Sequence, residues 1–349
     1  MTNLTILRLH YLNLTPVVGW LLGECMAARG LQELWTRQRP EILEALRQQA
    51  VVQSVESSNR IEGVTIATDR LKPVIIGKAR PRDRSEEELA GYRKALDWIF
   101  SRKKGVAFSP EVVLKLHALA QGGMSGDAGQ WKQKDNEIVE ILPNGERRIR
   151  FTPTPAKKTP RTMGALCTAY SVIGEAEQFS PLLNIATAVF DLLCIHPFRD
   201  GNGRVSRLVT AFLLTQNGFN VCRFVSLERL VEERKEEYYR VLKQCSDGWH
   251  EGRNDISPWW IFFLSILRSA YIQFGRQVES KTAAAPKSDL VRHFISEKVG
   301  PFSIAEVAGQ VPVASRQLIK KVLAEMKAEG LLEVTGKGRG AVWEVVGKR

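Results

Sequence analysis

The segment His196–Arg207, HPFRDGNGRVSR, gathers side chains that can carry out phosphate chemistry. It lies between an apolar run, 181–195, and a run with apolar residues at helical spacing, which predicts a loop between two helices. The second helix is predicted to begin near Asn202 or Gly203. Its free backbone N–H groups and positive dipole end face the loop, and Gly201 and Gly203 let the backbone approach a bound group closely. The turn therefore predicts an anion site.

The charged residues around this turn suit a polyphosphate. Arg204 and Arg207 are three residues apart, so they share a face of the first helical turn and can reach the same anion. Asp200 would repel phosphates unless a cation lies between them, and Mg²⁺ is the cation that suits this position. His196, with a typical pKa of about 6.5, can remove a proton from a hydroxyl that attacks a phosphate. These residue types predict transfer of part of a nucleotide to a hydroxyl.

The elements that must position these residues are mainly helical. The chain has 349 residues, which suits two or three domains, and 44% of them are apolar. Helical spacing covers most of it, while two β-leaning runs on either side of Pro143-Asn144-Gly145 predict a hairpin over roughly Ile138–Phe151. We predict a helical N-terminal region (1–85), a helical core with this hairpin (86–278), a linker (279–286) and a small C-terminal domain (287–349). In that last domain the order helix, helix, helix, hairpin predicts a winged helix-turn-helix.

Charge and cysteine content restrict the class of protein. The net charge of +12 suits an anionic partner, although a merely basic, solvated surface is an equally open interpretation. The five cysteines have no CxxC spacing and lie mostly in apolar runs, as in a reduced cytosolic protein. No run is long and apolar enough for a membrane span, and no signal peptide is evident. We expect a cytoplasmic protein without a membrane partner.

The motif at 196–207 resembles the signature of the Fic family, His-Pro-Phe-x-Asp/Glu-Gly-Asn-Gly-Arg-x-x-Arg, at every defined position. The resemblance covers roughly residues 50–270. It implies a mainly helical protein adenylyltransferase that uses ATP and Mg²⁺, moves AMP onto a Ser, Thr or Tyr hydroxyl of a target protein and releases pyrophosphate. By position, the resemblance implies that His196 is the base, Asp200 the Mg²⁺ ligand, Gly201, Asn202 and Gly203 the anion nest, Arg204 a phosphate clamp and Arg207 the partner of the terminal phosphate.

A second motif, SSNRIEG at 57–63, resembles the inhibitory pattern of the same family, Ser/Thr-x-x-x-Glu-Gly/Asn, through Ser58, Glu62 and Gly63. The resemblance implies that Glu62 pairs with Arg207. An arginine neutralised by a carboxylate cannot hold the γ-phosphate, so we expect Glu62 to restrain transfer. In some relatives the same Glu assists removal of AMP, and the sequence leaves that alternative open.

The resemblance also implies that the hairpin is a flap that pairs with the backbone of the target and aligns its hydroxyl. An ordinary surface hairpin remains the alternative. Tyr238 and Tyr239 match a downstream helix of the family, where lining of an adenine pocket and core packing are both open. The other four histidines have no comparable partners and are predicted to be structural or surface residues; they are His10, His117, His250 and His293.

The C-terminal domain permits several partners. From Pro286 onward there are eleven Lys/Arg against seven Asp/Glu, a net charge of +4. Basic residues on the predicted recognition helix and wing permit contacts with DNA phosphates; they are Arg316, Lys320, Lys321, Lys337 and Arg339. Such domains also serve in protein docking or as dimer modules, so DNA, a protein and a homodimer are all open.

Three functions therefore remain in view. The first is adenylyl transfer to a target protein, which includes the enzyme itself as a possible target. The second is a DNA- or protein-binding regulator in which the Fic-like core senses a nucleotide. The third keeps the core but transfers another group, such as UMP or a phosphoryl.

Overall fold

The computed structural model describes residues 3–38, 40–64, 66–101, 105–122, 126–141, 145–176, 178–284, 287–296, 298, 300–312, 314–336 and 341–346. The chain forms two compact units, Met1–Arg276 and Gln277–Arg349. Both are built mostly from helices with a few short strands, which confirms the predicted fold class. No described helix is long and apolar enough to cross a membrane.

The first unit is a helical bundle with one hairpin. Short 3-10 helices occur at Thr5–Tyr11, Ala156–Lys158 and Asn220–Arg223. The α-helices are α1 (Pro16–Gln38), α2 (Pro40–Ile61), α3 (Thr68–Ile75), α4 (Arg84–Ser101), α5 (Pro110–Gln121), α6 (Thr159–Glu175), α7 (Pro181–Ile195), α8 (Asn202–Gln216), α9 (Leu227–Glu233), α10 (Lys235–Ser246) and α11 (Ser257–Ala284). The last residues of α11, from Gln277 onward, belong to the second unit. The segment predicted as a linker, 279–286, begins inside α11, and residues 285–286 lie outside the described part.

Helices α7 and α8 form the centre of this unit. Pro181 lies in the first turn of α7, where its missing N–H costs nothing, and nearly every residue of the helix is buried. Because α7 is apolar on all sides, it can be buried on every face. Helix α8 follows after a short loop and packs against α7, α4 and α5. It ends where Gly218 adopts a left-handed conformation with φ of 82°.

Helix α2 brings the N-terminal region to the centre of the bundle. It packs against α4 and α9 and also contacts α8. Inside the bundle, the buried Ser54 hydroxyl donates to Glu228 of α9 at 2.6 Å, and the hydroxyl of Tyr92 on α4 donates to the same carboxylate at 2.9 Å. The Glu228 carboxylate thus joins α2 and α4 to α9.

The predicted hairpin is formed by β1 (Ile138–Ile141) and β2 (Arg147–Phe151), which pair antiparallel. The register shifts between Ile138 and Val139, so the ladder contains an irregularity of the β-bulge kind. Residues 142–144 of the predicted turn lie outside the described part of the chain. Strand β2 packs against α10, which places the hairpin over the C-terminal end of α7.

The second unit contains α12 (Lys287–Ser296), α13 (Ile304–Gln310), α14 (Arg316–Ala328) and an antiparallel pair, β3 (Leu332–Thr335) and β4 (Val342–Val345). The predicted order of three helices and a hairpin is present, around a separate apolar core. Three predicted DNA-contacting residues are exposed on α14, namely Arg316, Lys320 and Lys321. Lys337 and Arg339 lie outside the described residues.

Candidate active site

The loop between α7 and α8 begins at His196, which ends α7 in the left-handed conformation with φ of 51°. This conformation is uncommon for a residue other than glycine and turns the chain sharply. Asn202 then closes the loop, because its side-chain amide accepts from the N–H of Phe198 at 2.9 Å and donates to the carbonyl of Phe198 at 2.8 Å. Asn202, predicted as part of an anion nest, therefore uses its side chain to shape the loop.

His196 lines a cleft of about 850 Å³ and has the protonation state that a base requires. Its Nδ1 lies 3.3 Å from the carbonyl oxygen of Leu193, which assigns the N–H to Nδ1 and leaves the lone pair on Nε2. Burial lowers the pKa of His196 to about 4, against a smaller opposing effect of the Leu193 carbonyl. The imidazole is therefore neutral at neutral pH.

His117 of α5 packs against the loop and holds it in place. Its Nδ1 accepts from the N–H of Gly129 at 2.9 Å, so Nε2 carries the proton and lies 3.2 Å from the carbonyl oxygen of Asp200. The imidazole stacks on Phe198 with ring centroids 3.8 Å apart. Burial lowers the pKa of His117 to about 4, so it stays neutral in this role. The sequence predicted a structural or surface role for His117, but it did not indicate that His117 contacts Asp200 and Phe198 of the motif.

Lys132 is a second support that sequence patterns did not indicate. Its backbone N–H donates to the carbonyl of Pro197 at 2.9 Å, and its Nζ lies 3.3 Å from the carbonyl of Ile195 and 2.7 Å from Oδ1 of Asn136. Burial lowers the pKa of Lys132 to about 8. Lys132 thus holds the backbone on both sides of His196, through its ammonium at Ile195 and through its own N–H at Pro197. The charge of the ammonium also contributes to the lowered pKa of His196.

The glycines at the start of α8 leave space that other side chains fill. Gly201 has φ of 78°, and a Cβ there would lie 2.7 Å from Nε2 of Gln121. A Cβ on Gly203 would lie 2.1 Å from Oε1 of Glu62. The Glu62 carboxylate therefore lies directly against the first turn of α8, where the sequence predicts that an anion binds.

Arg207 is surrounded by the second motif. Its Nε donates to the hydroxyl of Ser58 at 2.9 Å, and its Nη2 donates to the carbonyl of Ser58 at 2.9 Å and to Oε1 of Glu62 at 2.8 Å. Burial is the largest single effect and lowers the pKa of Arg207, but Glu62, Tyr92 and Tyr238 together outweigh it and the pKa is raised. Gly63, with φ of 80°, ends this turn of the chain. The structure thus brings the predicted partners Glu62 and Arg207 into contact across 145 residues.

Arg204 occupies a different position from the one expected of a phosphate clamp. Its side chain is 2% exposed and forms an ion pair with Glu88 of α4, with Nη1 2.8 Å from Oε2. It does not line the cleft. Arg84 joins the same group, because its Nε donates to Glu88 at 2.9 Å and its Nη2 to Oδ2 of Asp200 at 2.6 Å. Arg204 therefore anchors the first turn of α8 to α4.

Asp200 fits the role of a single metal ligand. Its side chain is 51% exposed, with Oδ1 accepting from the N–H of Gly201 at 2.6 Å. Among the described residues, no group of three or more His, Cys, Asp or Glu side chains could hold a metal ion. Mg²⁺ in nucleotide sites is commonly held by one or two carboxylates together with phosphates and water. Asp200 would supply the one carboxylate of such a site. For that, Arg84 must first release the Asp200 oxygen to which it donates.

The opposite wall of the cleft comes from the hairpin and α10. The lining includes Arg150 and Phe151 of β2 and both tyrosines considered above, Tyr238 and Tyr239. Lys243 of α10 crosses to the hairpin and pairs with Glu140, with Nζ 2.7 Å from Oε2. The cleft is large enough for a nucleotide and has the His196 side chain and the α8 turn at one end.

Comparison with known proteins agrees with this geometry. Residues 107–214 match the model of the Fic/DOC family. The chain is 24% identical over 208 residues to a protein adenylyltransferase Fic from Nematostella vectensis, a match that covers 57% of this chain and 44% of that protein. The chain thus spans less than half of the length of that curated relative.

Solved structures share the fold. A Fic family protein from Desulfovibrio desulfuricans G20 superposes with a TM-score of 0.62 at 21% identity, covering 97% of this chain and 98% of that one. Fic-1 from C. elegans gives a TM-score of 0.58 at 18% identity, covering 77% of this chain and 74% of that one.

Proposed function

We propose that this protein is a Fic-type protein adenylyltransferase that transfers AMP from ATP to a Ser, Thr or Tyr hydroxyl of a target protein. The observation that carries the proposal is a neutral His196 that lines a nucleotide-sized cleft, next to the glycine-containing start of α8. A base and an anion site a few residues apart are what transfer of a phosphoryl-linked group to a hydroxyl requires.

In the proposed reaction, Nε2 of His196 removes the proton from the acceptor hydroxyl. The hydroxyl oxygen bonds to the α-phosphorus of ATP, the bond from that phosphorus to the bridging oxygen breaks, and pyrophosphate leaves. The N–H groups at the start of α8 hold phosphate oxygens, with Gly201 and Gly203 permitting the close approach. Asp200 would hold Mg²⁺, which when bound neutralises phosphate charge.

The two arginines have different proposed roles. Arg207 holds the terminal phosphate once it is free of Glu62, whereas Arg204 acts mainly by keeping the α8 turn in place through Glu88. Glu62 restrains the enzyme because its carboxylate occupies Arg207 and repels a phosphate at the same turn. The contact pattern of Ser58 and Glu62 supports this autoinhibition.

The test of the function uses the purified chain, Glu62→Gly, and ATP labelled in the α-phosphate. We expect label on protein, lost in the Glu62→Gly/His196→Asn double variant, because Asn tolerates the left-handed conformation but supplies no base. Labelled UTP and CTP in parallel separate AMP transfer from transfer of another nucleotide. Label from γ-labelled ATP instead of α-labelled ATP would replace the proposal with phosphoryl transfer.

The flap and the second unit suggest the partners. The hairpin lies over the cleft that contains His196, so its open edge is proposed to pair with the target backbone.

The exposed basic face of α14 supports DNA binding as a second activity, which a salt-dependent shift of duplex DNA would test. A homodimer is also proposed, and light scattering would test it by measuring the mass of the protein in solution. The five cysteines are all buried and unpaired, which agrees with the proposed cytoplasmic location.

A further inference from the structure

Arg150 is a cation that lines the cleft without an internal partner. It lies on β2 opposite the irregularity between Ile138 and Val139, and its half-buried side chain faces the cleft. Its Nε is buried and makes no hydrogen bond. Among the described residues, no ion pair or hydrogen bond involves its guanidinium. The other arginines of β2, Arg147 and Arg148, are exposed and do not line the cleft.

A half-buried guanidinium without a carboxylate costs stability. Burial lowers the pKa of Arg150 and outweighs the opposing effects of Tyr238, Glu140 and Tyr239. Glu140 of β1 acts on Arg150 only through its charge, because its carboxylate forms an ion pair with Lys243. Buried polar groups in native proteins rarely lack partners, and an exception in a cleft indicates a ligand that supplies one.

The surroundings of Arg150 indicate which anion it binds. Arg150 and His196 line the same cleft, and the charge of Arg150 makes a small contribution to the lowered pKa of His196. The base must lie within hydrogen-bond reach of a hydroxyl that attacks the α-phosphate. The arginines predicted as phosphate clamps are engaged elsewhere, Arg204 by Glu88 and Arg207 by Ser58 and Glu62.

We propose that Arg150 is a further nucleotide-binding residue, supplied by the flap, whose guanidinium binds the α-phosphate of the nucleotide next to His196. This inference rests on the proposed function for the identity of the nucleotide. It links two parts of the reaction, because the same flap that aligns the acceptor hydroxyl also holds the phosphate that the hydroxyl attacks. Bound nucleotide thereby fixes the flap in the position that the target requires.

The experiment is calorimetric titration of the full chain carrying Glu62→Gly, with ATP, AMP and adenosine as separate ligands. Adding Arg150→Gln should weaken binding of ATP and AMP about 10- to 100-fold, the usual effect of losing charge-assisted hydrogen bonds. Binding of adenosine, which has no phosphate, should change less than twofold. Arg150→Lys should give an intermediate loss, because an ammonium keeps the charge without the bidentate geometry. Arg147→Gln is the matched control on the same strand and should bind all three ligands like the parent.

Folding of the variants is checked by thermal unfolding. Since Arg150 has no internal partner, Arg150→Gln should unfold at the same temperature as the parent or higher. A lower unfolding temperature would assign Arg150 a structural role and overturn the inference. Unchanged ATP affinity, or an equal loss for adenosine, would also overturn it while leaving the proposed function intact. If the parent bound neither ATP nor AMP, the proposed function would fail together with the inference.

Discussion

Replacing Glu62 is the most direct test of the proposed autoinhibition. The Glu62 carboxylate lies 2.8 Å from Nη2 of Arg207, whose side chain is only 8% exposed, and it also fills the space above Gly203. In Glu62→Gly the carboxylate is absent, so Arg207 and the start of α8 become available to phosphate. A hydrogen bond to a charged group contributes about 1.5–3 kcal/mol. If this energy is regained in the contact with ATP, the transfer rate rises about 10- to 100-fold.

The assay measures the initial rate of label transfer from α-labelled ATP to protein. Glu62→Gln keeps the size of the side chain and removes its charge, so it should give a smaller increase than Glu62→Gly. In the double variant Glu62→Gly/Arg207→Ala the increase should vanish, because the arginine that Glu62 releases is missing. Glu56→Gln is the matched control on α2, since Glu56 pairs with Arg60 and not with Arg207. Its rate should equal that of the wild type.

One result would refute the reasoning about Glu62. It is a Glu62→Gly variant that keeps the wild-type unfolding temperature, binds ATP and yet transfers label no faster than the wild type. An equal increase in the presence and absence of Arg207 would also contradict it, because the increase would then come from the space above Gly203 rather than from the ion pair.

Three other predictions concern the base, a buried ion pair and pH. His196→Asn should lower the transfer rate of the Glu62→Gly enzyme about 10²- to 10⁴-fold with little change in ATP affinity, and a loss of ATP binding of similar size would argue against a base. Glu88→Gln should lower the free energy of unfolding in urea by about 3–5 kcal/mol, because the buried Arg204 loses its counterion; a loss below 1 kcal/mol would contradict the anchoring role. The folded pKa values of His117 and His196, about 4, lie below the unfolded value of about 6.5, so the unfolded chain takes up protons first as the pH falls. Each histidine should therefore reduce the free energy of unfolding by about 2 kcal/mol between pH 7 and pH 5. His196→Asn should remove about half of this contribution, and an unchanged pH dependence would show that His196 titrates normally.

Much of the loop from His196 to Arg207 could be predicted because its residues are neighbours in the chain. A buried helix, a glycine turn and an amphipathic helix follow from apolar spacing, and the start of α8 at Asn202 agrees with the predicted boundary. The hairpin was also predictable, since two β-leaning runs flank a turn sequence. Local patterns of this kind depend on backbone geometry within a few residues.

The partners of the charged residues were less predictable. Arg204 and Arg207 look alike in the sequence, three residues apart on one helical turn. Their roles separate only because α4 presents Glu88 to the first, while the end of α2 presents Ser58 and Glu62 to the second. The motif resemblance indicated the second pair, but no pattern indicated Glu88.

The residues that support the site show the same limit. Lys132, His117 and Arg150 lie 46 to 79 residues from His196 in the chain. The hairpin that contains Arg150 was predicted, but no pattern indicated that any of these three residues belongs to the site. Their functions depend on which backbone carbonyl, ring or cleft they meet after the helices pack.

The sequence alone thus determined the helical fold class, the loop that ends in a helix N-terminus, and the kinds of chemistry its side chains can perform. The tertiary structure decided which arginine meets which carboxylate, which histidine is held neutral and which flap residue faces the cleft. The physical reason is that propensity and periodicity act over a few residues, whereas burial, charge pairing and pKa depend on groups that only folding brings within a few ångströms of one another.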